Sequence, residues 1–240
     1  MKLFINSGVT LLLLMLLSGC LYPEANLENN QIPLENQVSD VQEAVVNYQK
    51  DQQGLLPIKT REASTPIYQK YPIDFNKLVP RYLSETPGTA YESGGLFSYV
   101  LVDVETNPMV KLLDLRIAEQ IRELNTRLMF YRQSNGYPPY KEVVDEGVFT
   151  LDYGKLGYEE PPFVVSPFSG LNLPLIIASD TEVYVDYKID LFKVLQEEDY
   201  SFNQDEDIRH ILVDQSIFVP AYSMPYTIDP KNGEPIFLYK

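Results

Sequence analysis

Two stretches of this chain carry the same order of signals, and that order restricts the fold more than any other feature. The first runs through Val38, Val41, Val45 and Tyr48 at helical spacing, then Gly54-Leu55-Leu56-Pro57. Asp74-Phe75-Asn76-Lys77-Leu78, Thr86-Pro87 and an apolar run from Leu96 to Val104 follow. The second has Ile121, Leu124, Leu128 and Tyr131, then Gly136-Tyr137-Pro138-Pro139. It continues with Asp152-Tyr153-Gly154-Lys155-Leu156, Ser166-Pro167, Leu173 to Ala178 and Glu182 to Tyr187. Apolar residues three and four apart make one face of a helix, and glycine and proline stop it. Recurrence at this distance is the mark of an internal repeat. The expected fold is α+β: two tandem repeats of a long helix packed on a small antiparallel sheet.

The boundaries that follow are 37–108 for the first repeat and 109–187 for the second. The first helix has Asp40 and Glu43 near its start, where carboxylates suit the helix dipole. The second is expected from Val110 to Arg132, with Val110, Leu113, Ile117, Ile121, Leu124, Leu128 and Tyr131 as its stripe. A C-terminal extension, 188–240, reads as short helices and a hairpin. Ile189, Phe192 and Leu195 suggest one helix, and Ile208, Ile211 and Leu212 another. Tyr226 to Ile228 and Pro235 to Tyr239 are the expected hairpin strands, joined by Asp229-Pro230-Lys231-Asn232-Gly233.

In the first stretch, Tyr48, Gly54-x-x-Pro57, Leu78-Val79-Pro80-Arg81-Tyr82-Leu83 and Thr86-Pro87 are similar to the globular heads of type II secretion pseudopilins. The resemblance implies a helix laid across a small antiparallel sheet. The prepilin cleavage pattern and the family's Asp-Pro-Trp-Gly are absent, so it implies no filament assembly.

At the other end, an apolar run from Val9 to Leu17 follows Lys2, the only charge before Cys20. It is shorter than the roughly 20 apolar residues a transmembrane helix needs. Charged n-region, apolar h-region and small-residue cleavage site make a signal peptide, 1–19. Leu17-Ser18-Gly19-Cys20 resembles the lipobox of bacterial lipoproteins. The resemblance implies diacylglyceryl transfer to the Cys20 thiol, cleavage between Gly19 and Cys20, and a lipid-anchored amino terminus. Two acyl chains hold a protein to a membrane stably where one does not. Residues 20–36 are the lipidated N-terminus and a polar linker rich in Asn, Glu and Pro. Through Leu-Ser-Gly-Cys-Leu-Tyr-Pro-Glu at 17–24, the chain also resembles acidic lipoproteins of Bacillus-type bacteria, some of them labelled binding proteins of ABC importers.

Cys20 is the only cysteine, so with its sulfur lipidated the rest of the chain offers neither a disulfide nor a cysteine nucleophile. The formal charge is −15, and loss of Lys2 with the signal peptide makes it −16. Such a charge disfavours nucleic acid and is repelled by anionic surfaces, which leaves anchoring to the lipid.

The inventory for catalysis is thin. His210 is the single histidine and falls on the outside of a short helix, in a solvated or capping role. No Gly-x-Ser-x-Gly elbow or Gly-rich phosphate loop occurs, and Ser93-Gly94-Gly95 reads as a loop. The acidic stretch Glu197 to Asp207 is the one calcium candidate but fails the EF-hand spacing; a solvated loop is the simpler reading. Tyr137, Tyr140, Tyr153 and Tyr158 fall near Pro138, Pro139, Pro161 and Pro162. They form either a ligand or peptide surface or a packed turn region. No cofactor, metal or catalytic residue is expected.

These readings converge on a lipid-anchored, non-catalytic binding module on the outer face of the cell membrane, with an envelope protein or small ligand as partner. A solute-binding lipoprotein of an importer would instead show two lobes around a cleft. A wall-modifying hydrolase would show two buried carboxylates in one pocket.

Overall fold

The computed structural model describes residues 32–197 and 200–238. Leu17 to Cys20 and most of the expected linker lie outside the described residues. The first helix, α1, spans Leu34–Asp51, so it starts inside the segment expected to be linker. Val38, Val41, Ala44 and Val45 are its buried face. Gly54 ends it with φ +92°, a conformation that leaves only glycine unstrained, and its N–H bonds back to Gln49 O.

Beyond α1, Ile58 pairs with Ile73, and the Asp74 carboxylate caps the short helix α2, Phe75–Leu78, by accepting from Asn76 N. Ile73 N–H bonds to Tyr99 O, which lays this segment on β1, Phe97–Val102. β1 forms an antiparallel hairpin with β2, Met109–Asp114, in register from Phe97↔Asp114 to Val102↔Met109. Gln42 of α1 closes part of the outer edge of β2. Its Oε1 accepts Val110 N–H at 2.7 Å, and its Nε2 donates to Pro108 O at 3.0 Å.

This hairpin corrects the expected second helix. Val110 and Leu113 lie on a strand, and the helix, α3, spans Leu115–Asn135. The switch sits at Asp114, whose Oδ1 accepts Arg116 N–H at 2.9 Å and so caps the first turn. The expected boundary at 108/109 falls at the start of β2 and separates the paired strands β1 and β2; the change from strand to helix comes after Asp114. Gly136, φ +84°, closes α3.

α3 presses Ile117, Ile121, Leu124 and Leu128 onto a second sheet. Its strands are β3 (Tyr140–Asp145), β4 (Val148–Leu151), β5 (Phe163–Val165), β6 (Asn172–Ala178) and β7 (Val183–Val185). They run antiparallel in the order β3-β4-β6-β5, with β7 also on β6. The molecule is therefore α+β, with helices packed against antiparallel sheets.

The C-terminal residues form α4 (Lys188–Glu197), α5 (His210–Asp214), β8 (Tyr226–Ile228) and β9 (Pro235–Phe237). The expected hairpin is present, with Gly233 at φ +75° in its turn. This segment belongs to both cores. Ile208, Ile211, Leu212, Met224, Tyr226 and Phe237 pack with α3 and its sheet. Val213, Val219 and Ala221 pack with Val100, Val102 and Leu113 of the first hairpin. Leu112 N–H donates to Ile217 O, and Leu112 O accepts Val219 N–H, so the chain beyond α5 lies along β2. Among the described residues no helix is long and apolar enough to cross a membrane.

Candidate functional site

The residues singled out in the sequence for chemistry are scattered. His210 opens α5, is exposed, and holds its Nδ1 3.0 Å from the backbone carbonyl of Asp207; no side chain caps this helix. In the acidic stretch, Glu206 turns to Asn203, and Asp207 pairs with Arg209. Glu198 and Asp199 lie outside the described residues. Among the described residues no three acidic or histidine side chains converge in a way that could hold a metal. Among the described residues the buried carboxylates are Asp114 and Asp190, and they line different cavities.

The tyrosine and proline cluster divides. Tyr153 is structural: its hydroxyl donates to Leu175 O at 2.7 Å, and burial raises its pKa. Tyr137 is exposed, and Tyr140 packs its ring on Phe149. Tyr158, Pro161 and Pro162, however, line a groove of about 580 Å³. One wall is the first turns of α3, with Arg116, Ile117, Glu119 and Gln120; the other is the chain from Glu160 into β5.

Each part of this groove has a local cause. Asp114 ends β2 and starts α3, so the side chain two residues on, Arg116, leaves the helix at its first turn. The Asp114 carboxylate is 3% exposed and accepts two bonds from Arg116 Nε at 2.9 and 3.0 Å, besides the capping N–H. Arg116 itself remains largely exposed. That hydrogen-bonded pairing raises the guanidinium pKa against a smaller desolvation effect. From further along α3, Arg127 lies 4.1 Å over the Tyr158 ring and donates to Leu156 O and Gly157 O, fixing the loop that leads into the prolines of the facing wall. β5 is the last strand in its sheet order, and alternation turns Val164 inward while Phe163 and Val165 face solvent at 47% and 54% exposure.

A second cavity, about 510 Å³, adjoins the first and shares Arg116 and Glu119 with it. It is lined by Lys59, Arg61 and Arg122, with Tyr91, Leu96 and Leu115 as apolar surface. Lys59 pairs with Glu92, and Arg122 stands 3.7 Å from Glu119. Four cations thus border one recess of a chain whose formal charge is −15. The two cavities offer apolar walls, aromatic rings and fixed charges, a set suited to holding a partner.

Sequence reasoning found Tyr158, Pro161 and Pro162 and missed Arg116, Phe163 and Arg61. A helix beginning at Val110 would bury Arg116 in mid-helix text; the Asp114 cap was the available signal.

Residues 34–114 match the model of the YphF family N-terminal domain. That span runs from the first residue of α1 to the last of β2, so the groove lies where the matched region meets α3. No curated protein and no solved structure matches the chain.

Proposed function

We propose that this protein is a lipid-anchored binding module of the cell envelope, tethered through Cys20 on the extracytoplasmic face, and that it holds a protein partner at the groove around Arg116. The observation that carries the binding half is the pair of adjoining cavities sharing Arg116 and Glu119, beside the solvent-facing Phe163 and Val165 of a terminal strand. The backbone groups of an edge strand are a template for an added strand from another chain, and apolar side chains beside them give that strand something to pack on. Leu17-Ser18-Gly19-Cys20 supports the anchoring half. The module acts by binding rather than by catalysis: its groove contributes fixed ion pairs and apolar walls.

The body is read as two copies of one unit, 37–114 and 115–187, with 188–240 shared between them. Two matched contacts and one matched turn support this. Asp74 N–H bonds to Pro57 O at 2.7 Å, and Asp152 N–H to Pro139 O at 2.8 Å. Ile58 pairs with Ile73 as Tyr140 pairs with Leu151. A helical turn follows each aspartate, Phe75–Leu78 and Tyr153–Leu156. On this reading the groove is formed where one copy hands over to the next.

The test is site-specific photocrosslinking in intact cells. A photoreactive residue replacing Phe163 is expected to give a discrete adduct that Arg116→Ala weakens. The same probe at Tyr137, exposed but outside both cavities, is expected to give none. Equal adducts from both positions, or none from Phe163, would remove the groove from the account.

A further inference from the structure

The recess beside the groove runs against the charge of the chain that builds it. Lys59, Arg61, Arg116 and Arg122 border it, against Glu92 and Glu119. The adjoining groove has the opposite balance, with Asp114, Glu119 and Glu160 against Arg116. The chain as a whole stands at −15. A local excess of positive charge on so acidic a molecule selects the sign of what binds there and steers it to one place.

The four cations are not equally committed. Lys59 is taken by Glu92 at 2.5 Å. Arg116 gives Nε and Nη2 to Asp114, which fixes the guanidinium and leaves Nη1 out of that pairing. Arg122 stands 3.7 Å from Glu119, and the two side chains are 77% and 71% exposed, so that contact holds little. Arg61 is exposed and has no carboxylate partner among the described residues. Arg61 and Arg122 are thus open to solvent with most of their donors unspent, one from the chain between α1 and α2, the other from α3. Ala118, one turn before Arg122, lines the same recess, and its methyl group leaves room beside the guanidinium.

The neighbours of these cations narrow the occupant. A guanidinium meets a carboxylate with paired, charge-assisted bonds. Tyr91 and Leu96, both more than half exposed, add apolar surface to the recess. A lone inorganic anion would leave that surface wet, whereas a peptide bearing acidic and apolar side chains covers it and meets the cations together. An anionic membrane is repelled by the charge of the whole body. We propose, resting on the reading that the groove holds a protein partner, that this partner inserts an acidic segment into the recess and that its carboxylates are held by Arg61 and Arg122.

The experiment titrates the full-length protein, in non-ionic detergent, into a capped hexapeptide of alternating glutamate and leucine that carries a neutral fluorophore, and follows anisotropy. Saturable binding is expected. It should vanish when glutamine replaces the glutamates and weaken as salt rises from about 0.05 to about 0.5 M. Arg61→Glu and Arg122→Glu, each at an exposed position, should each weaken binding about tenfold or more by setting like charges together. Arg61→Lys should keep most of it. Lys231→Glu makes the same change of net charge at an exposed turn outside both cavities and should leave binding unchanged. No saturable binding, equal binding of the glutamine peptide, or an equal loss in Lys231→Glu overturns the proposal. So does capture of phosphatidylglycerol vesicles by a wild type that leaves the peptide free. The Phe163 crosslink keeps the two readings apart: a discrete adduct without peptide binding removes the acidic partner and keeps the groove, and an absent adduct removes the groove itself.

Discussion

At the scale of single residues, the molecule places buried and half-buried charges where they hold segments together. Lys111 on β2 donates to Val213 O and Ser216 O at 2.6 Å each, and burial lowers its pKa. Arg209, 7% exposed, pairs with Asp207, donates to Ser223 O at 2.8 Å, and lies 5.1 Å over Tyr68. Asp190, 1% exposed, accepts the Ser166 hydroxyl on Oδ2 at 2.7 Å. Burial raises its pKa above the ordinary 3.8, against the Ser169 and Ser166 hydroxyls. The folded state then binds that proton more tightly than the unfolded chain. The proton-linked stability is fully present below the ordinary carboxylate range and is lost as pH rises through the folded value. Asp190→Asn removes this dependence. The expected result is that wild-type stability, measured against Asp190→Asn by urea unfolding at several pH values, declines as pH rises from about 3.8. A difference that grows with pH would reverse the sign of the argument.

At the scale of elements, Asp114 decides where strand becomes helix. Removing its side chain exposes the first turn of α3 and releases Arg116. The cap accounts for most of the loss, about 0.5–2 kcal/mol. The ion pair adds little, because Arg116 is largely in water. Asp114→Ala is therefore expected to lower unfolding free energy by about 1–2 kcal/mol, and Asp114→Asn, which keeps an acceptor, by clearly less. Chemical denaturation of the two variants checks both. This element also shows what a sequence conceals. Val38, Val41 and Val45 marked α1, and Gly54 marked its end, because those signals are local. Val110 and Leu113 fit helical spacing equally well, yet pairing with β1 makes them strand; tertiary contacts overrode a period that two states shared. The start of α1 at Leu34 was hidden by the polar composition around it.

At the scale of the whole molecule, residues beyond Lys188 link what precedes them. Met224, Tyr226 and Phe237 sit in the core beneath α3, while Val219 and Ala221 sit against β1 and β2. The groove followed from this assembly and was legible only in part. Tyr158, Pro161 and Pro162 drew notice by composition. Arg116 did not, because its place depends on where β2 gives way to α3, and Phe163 did not, because its exposure depends on which strand ends the sheet. Asp190 was invisible as well: the stripe Ile189, Phe192 and Leu195 placed it on a helix, but its burial and the partner of its Oδ2 come from the turn at Ser166.

The proposal that this body works at a membrane stands on Cys20 alone, and one measurement reaches it directly. Cells expressing the protein are fed an alkyne-bearing fatty acid, and the purified chain is probed for the label. Label on the wild type and its complete loss in Cys20→Ser are expected. An unlabelled wild type, or a Cys20→Ser protein that keeps its label, would contradict the lipid anchor.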